Sequence, residues 1–440
     1  MHEASQVVSV SVGPVCQGRD RPVASPAQRY WLRLPGPGLA TALLLMLAPG
    51  AITPAEAFDL TIGGLIELTG PLSEIGPPIE KAALLAVKVA NQAAADAGVP
   101  MTIDFAAADA QGDPQAAVSA ARALIDRNAS CILGPATTPE AIAVLNGVTM
   151  QRRMTLWPQA SSTRLRTVEH DGTIFRTIAA DDLQSRALVA AIERHAGKGK
   201  RASVVFRNEP YGDALSKAFT SDWEAVGGSV VATVSFDPQQ MSFDSEAGQA
   251  VAADPDVYVV IDYPDTYARL GAALVRTGAF DPSTLFVADA LSFGTVPRSI
   301  PAEAIEGAFG VVGGAPQGTG AYALFDRLWT EEGGVENASY TPNAFDAAMI
   351  CFLAAIRAGS AEPEAIRDNV RDVTREGAPQ FTIETIADAV RTAAAGKPID
   401  YVGVSGQFRF APNGDTTTGL YDVFQYREGR QVTIDQIDVR

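Results

Sequence analysis

Four short stretches carry side chains able to hold a small charged molecule. Thr137 and Thr138 follow Gly134-Pro135 at the end of the apolar run Cys131-Ile-Leu133. Thr138 is expected to cap a helix that Pro139 opens, with Ile142, Leu145 and Val148 at helical spacing behind it. A strand feeding a helix N-terminus offers hydroxyls, free N–H groups and the positive end of a dipole, which suits a carboxylate. The second stretch, Gln159-Ala160-Ser161, closes the next strand, and the third brings Tyr211 to a loop end as a rim or core aromatic. In the fourth, Asp265 stands near Asp262 and is either an ammonium ligand or the N-cap of its own helix. Hydroxyls on one side and an acid on the other suit a zwitterion.

Other chemistry finds no carrier. His2, His170 and His195 are the only histidines, and no H-x-x-x-H or C-x-x-C pair occurs, so no metal site is expected. His195 falls in the last turn of a helix, where a cation favours the dipole. There is no G-x-x-x-x-G-K-[ST], no G-x-G-x-x-G and no G-x-S-x-G, so no nucleotide cofactor, no other cofactor and no hydrolase triad is expected. The chain reads as a binder and not an enzyme.

The elements that must position these residues alternate. From Phe58, apolar strands at Leu60–Ile66, Met101–Ala107, Cys131–Leu133 and Met154–Trp157 are interleaved with amphipathic helices. A second alternating series begins after Phe175-Arg-Thr177, with strands at Ala202–Phe206, Ser229–Phe236, Val257–Ile261 and Leu285–Ala288. Such alternation predicts an α/β fold of parallel sheets with crossover helices, and ligands of such sheets sit at the carboxyl ends of strands. All four stretches lie at such ends. Val404–Phe410 and Tyr421–Arg427, joined through Asn413-Gly414, are expected as a closing hairpin.

The chain has 440 residues, more than one ordinary core holds, and 47% of them are hydrophobic, which excludes a disordered chain. A net charge of −17 argues against nucleic acid and against anionic membrane surfaces. Residues 29–57 read as a secretory signal: Arg29 and Arg33, the apolar run Leu39–Leu47, and Ala55-Glu-Ala57 as the cleavage site, after which a mature chain starts near Phe58. The residues before Arg29 lie upstream of a normal signal, as a start codon placed too early would leave them. Cys131 and Cys351 sit in apolar segments and read as buried small hydrophobes, although an oxidising compartment permits a disulfide.

One ordered set of motifs resembles a known family. Leu68-Thr-Gly-Pro71, Asp109 with Asp113-Pro114, Gly134-Pro-x-x-Thr138, Ala160-Ser-Ser162, Phe175-Arg-Thr177, Tyr211-Gly212 and Phe345-Asp-Ala347 follow one another as in the leucine/isoleucine/valine-binding proteins. These are the type I periplasmic solute-binding proteins of branched-chain amino-acid ABC transporters. The resemblance implies two Rossmann-like lobes joined by a three-segment hinge. Residues 1–57 would be leader and signal, 58–179 with 294–403 lobe one, and 180–293 with 404–440 lobe two. It implies that Thr137, Thr138, Gln159, Ala160 and Ser161 hold a ligand carboxylate, with Tyr211 and Asp265 serving from the second lobe. It further implies a monomer in the periplasm that delivers an amino acid or similar small polar solute to an inner-membrane ABC permease. A ligand-sensing module of the same fold, acting with a signalling partner, is the alternative. Gln159 and Glu67 depart from the family's small and apolar residues and point to a more polar ligand.

Overall fold

The computed structural model describes residues 58–336, 338–417 and 419–439. The expected leader and signal, residues 1–57, lie outside the described residues. A first series runs β1 (Phe58–Ile66), α1 (Gly76–Ala97), β2 (Met101–Asp109), α2 (Pro114–Asp126), β3 (Ala129–Leu133), α3 (Thr138–Val144) and β4 (Leu156–Trp157). These strands form a parallel sheet in the order β2-β1-β3-β4. The second series runs α4 (Asp181–His195), β5 (Arg201–Arg207), α5 (Pro210–Ala225), β6 (Ser229–Phe236), α6 (Asp244–Ala252), β7 (Val257–Ile261), α7 (Pro264–Arg276) and β8 (Leu285–Val287). After it come β9 (Phe309–Gly313), α8 (Gly320–Glu331), α9 (Thr341–Ala358), α10 (Pro363–Val373), β10 (Gln380–Phe381), α11 (Ile386–Ala394), β11 (Asp400–Tyr401), β12 (Gly419–Arg427) and β13 (Arg430–Val439). The second sheet has the order β13-β12-β9-β8-β7-β5-β6, and its β12 pairs antiparallel with β9 and β13.

Both faces of the first sheet are covered, which is why its strands read as continuous apolar runs. Alternate side chains go to opposite faces. Cys131 and Leu133 of β3 join the core of α1, α9 and α11, whereas Ile132 joins that of α2 and α3. Helix α9 is buried nearly along its length, and its Cys351 meets Cys131. The two cysteines are not free small hydrophobes: they form a disulfide with Cα atoms 6.8 Å apart, across 220 residues of chain. The register of β3 puts Cys131 on the face of α9, a pairing that no local pattern announces.

Two further expectations are corrected. β9 hydrogen-bonds between β8 and β12, so residues 294–313 run with the second sheet and not, as expected, with the first lobe. The closing hairpin is β12–β13, not 404–410 with 421–427; Phe410 makes only an isolated bridge to Thr416. Its turn is Glu428-Gly429, both at positive φ (54° and 71°), as a two-residue hairpin turn requires.

Candidate functional site

The carboxyl ends of the two sheets face one cavity. From the first sheet it is lined by Leu72, Ile75, Ile79, Ala136, Thr138, Gln159 and Ser161, and from the other side by Tyr211, Tyr263, Asp289, Ala290 and Tyr340. Its free volume is about 30 Å³, so its occupant is small. The Ser162 hydroxyl donates to the Pro210 carbonyl at 3.0 Å and ties the two sides together.

On the first side, the turn into α3 depends on Gly134, whose φ is +86°. A Cβ there would stand 2.0 Å from the Leu65 carbonyl oxygen, so the strand ends can approach this closely only with glycine. Thr137, not Thr138, is the N-cap: its hydroxyl accepts from the Glu140 N–H and donates to Glu140 Oε2 at 2.6 Å. The helix therefore starts one residue earlier than expected and frees Thr138. Thr138 Oγ1 and Gln159 Oε1 are buried, line the cavity and have no hydrogen-bond partner within the chain.

The helix end is less available to a ligand than its sequence implies. Glu67, buried at the end of β1, accepts the Ala136 N–H at 2.7 Å. Burial raises the carboxyls of both Glu67 and Glu140, and the charge of Glu67 adds to the rise at Glu140. The pair keeps a proton through the neutral range, and the protein's own acid takes the amide of Ala136, the residue before the N-cap of α3. On this side the cavity is faced by the polar residues Thr138, Gln159 and Ser161.

Arg176 organises this loop. Its guanidinium is fully buried; Nη1 donates to the carbonyls of Ala160, Ser161 and Ser162 at 3.1, 2.8 and 3.0 Å, and Nε to Asp415 Oδ1 at 2.7 Å. Ala160 thus contributes a carbonyl to the scaffold and does not line the cavity. Phe175-Arg-Thr177 served in the sequence only as a motif marker; a lone arginine between apolar residues was the signal for a buried partner.

On the second side, Tyr211 opens α5 and stacks on Tyr263, ring centroids 5.6 Å apart. Asp265 is not in the cavity. Its side chain is 40% exposed and lies 3.5 Å from Arg207, which also pairs with Asp262 and Glu209 and covers the Tyr263 ring. Nor is Asp265 the N-cap of α7, a position held by Tyr263. The cavity's acid is Asp289, directly after β8: Tyr211 donates to its Oδ1 at 2.6 Å and Tyr340 to its Oδ2. Among the described lining residues there is one carboxylate and no Lys, Arg or His. Asp289 was not among the residues expected to hold a ligand, although it follows a strand of the parallel sheet, where ligands of such folds sit. Burial, and then the charge of Asp289, raise the Tyr211 and Tyr340 phenols well above their ordinary values, so both remain donors. Among the described residues no group of His, Cys, Asp and Glu has a geometry that could hold a metal ion.

A bilobal α/β fold with a small polar cleft between sheet ends defines a class of solute-binding proteins. The sequence profile described as "Periplasmic binding protein" matches residues 59–427, and the chain belongs to that family. It is 25% identical over 399 residues to the Leu/Ile/Val-binding protein BraC3 of Rhizobium johnstonii, covering 90% of this chain and 100% of that one. Among solved structures, the branched-chain amino acid transporter substrate-binding protein LivJ of Streptococcus pneumoniae, in complex with isoleucine, matches with a TM-score of 0.69 and 17% identity, covering 87% and 100%. An R. palustris ABC-transporter solute-binding protein in complex with 4-hydroxybenzoate matches with a TM-score of 0.66 and 16% identity, covering 87% and 97%.

Proposed function

We propose that this protein captures a small amino acid, or a solute with the same two polar ends, in the periplasm and delivers it to an inner-membrane ABC permease. The observation that carries the reading is the pairing across the cleft of Thr138 and Gln159, buried and unpartnered, with Asp289. A buried polar atom without a partner is costly, about 1–3 kcal/mol, and a ligand that satisfies it recovers that cost. The solute's carboxylate would accept from Thr138 and Ser161, and its ammonium would face Asp289 within the tyrosine wall. The small volume favours short side chains, and Leu72, Ile75 and Ile79 supply an apolar floor for them. Likeness to proteins of amino-acid transport supports the choice of solute. Export through a signal ending near Ala57 and action as a monomer belong to the same proposal.

Isothermal titration and thermal-shift screening of the chain from Phe58 against amino acids, amides, urea and short-chain acids test it. Saturable binding of at least one amino acid is expected, weakened tenfold or more by Thr138→Ala. Binding of none of them, or full affinity in Thr138→Ala, would sink the reading.

A further inference from the structure

One wall of the cleft is shared. The side chain of Tyr340 stands with Tyr211, Tyr263 and Asp289 on the cleft side, and with Tyr322, Phe325 and Trp329 of α8 on the side of a second, larger cavity of about 470 Å³. The cleft offers about 30 Å³, so this ring separates a small inner space from a large outer one.

Two contacts fix the ring. Its hydroxyl donates to Asp289 Oδ2, whose other oxygen already holds Tyr211. Gly313 lies against it: a Cβ at that position would stand 3.0 Å from a ring carbon. Tyr340 is also held at φ +59°, a left-handed conformation that bulky L residues rarely adopt. Glycine would take that conformation without cost, so the backbone does not account for a tyrosine here and the side chain must.

We infer that Tyr340 is the specificity-determining partition of the cleft: it sets the length of solute accepted, and its removal joins the cleft to the outer cavity. The inference rests on the proposed function for the nature of the solute. A solute whose side chain outgrows the cleft meets the ring edge and is refused. With the ring gone, that side chain extends beside Phe325 and Trp329. Asp326 and Glu336 line the same cavity, with no Lys, Arg or His among its described lining residues, so a cationic end group is the suitable long probe.

The test uses Tyr340→Gly, which suits the positive φ and so favours folding, with Tyr340→Phe as the variant that keeps the ring. Each is titrated with the twenty amino acids, and the ratio of the arginine Kd to that of the tightest short solute is read. Tyr340→Gly is expected to lower that ratio tenfold or more, and Tyr340→Phe to leave arginine refused. An unmoved ratio in Tyr340→Gly, wild-type binding of arginine as tight as that of the short solute, or acceptance of arginine by Tyr340→Phe would overturn the inference. If wild type binds no amino acid, the proposed function fails, and a crystal structure of Tyr340→Gly decides the partition without a ligand. One continuous cavity is expected there; two separate cavities would overturn it.

Discussion

Tyr211 donates its phenol hydrogen to Asp289 Oδ1 at 2.6 Å, joining the loops after β5 and β8 across the end of β7, which lies between them in the sheet. With Tyr340 on the other oxygen, the carboxylate accepts from two phenols that burial keeps protonated. The two phenols hold the Asp289 carboxylate in place at the edge of the cleft. Asp289→Asn keeps the shape and removes the charge. It is expected to weaken an ammonium-bearing solute by about 1.5–3 kcal/mol, the usual worth of a hydrogen bond to a charged group, while thermal unfolding moves little. Titration calorimetry checks this, and wild-type affinity in the variant would remove Asp289 from the ligand.

Much of this arrangement was legible in the chain. The alternation of apolar strands with helices gave both sheets, and the loops carrying Thr138, Gln159, Ser161 and Tyr211 do meet at one cavity. Register and long-range pairing were not legible. Asp262 and Asp265 looked as free as Asp289 because nothing local announces that Arg207 takes them. The disulfide depends on which face of β3 meets α9, and β13 was missed because half-exposed Thr433–Gln436 breaks the apolar pattern. Glu67 read as a departure from an apolar position, yet the amide that donates to it lies far along the chain at Ala136.

Arg176 is expected to be a stability hot spot. Arg176→Met leaves the carbonyls of Ala160, Ser161 and Ser162 without this donor and leaves Asp415 with Arg166 and the Asn413 amide. Breaking a buried ion pair from one side costs about 3–5 kcal/mol. A fall of that order in urea unfolding free energy is expected, together with weaker ligand binding through the released Gln159–Ser162 loop. Near-wild-type stability would mean that the loop holds itself.

Stability should fall as pH rises from 5 to 9. Burial pushes Asp181 up to about 8, with the charge of Asp289 adding to it, and pushes Asp262 up to about 7 against the opposing pull of Arg207. Glu140 is pushed up to about 10 by burial and by Glu67. These acids hold protons in the fold that the unfolded chain has already released above its ordinary carboxylate values. Between those values and the raised ones the folded state binds more protons, so each site contributes a loss of up to about 1.4 kcal/mol per pH unit as pH rises. Glu140→Gln keeps a donor for Glu67 and an acceptor for Thr137 without the proton. It is expected to flatten the melting temperature against pH and to melt higher than wild type at pH 9. Parallel curves for the two proteins would show that Glu140 is not the group that titrates.

The bond between Cys131 and Cys351 closes a loop of 220 residues and ties the central strand β3 to the buried helix α9. By chain entropy alone, cross-linking so long a loop stabilises the fold by up to about 5 kcal/mol. A disulfide of this kind persists only in an oxidising compartment, so its state reports where the protein was made. Chain exported to the periplasm should show no thiol on titration in denaturant and two after reduction. The same chain made without its leader in a reducing cytoplasm should show two from the start and melt lower. The double variant Cys131→Ala, Cys351→Ala should melt with the reduced form and be indifferent to reductant. Two free thiols in exported protein, or equal melting of oxidised and reduced forms, would deny the bond its structural role.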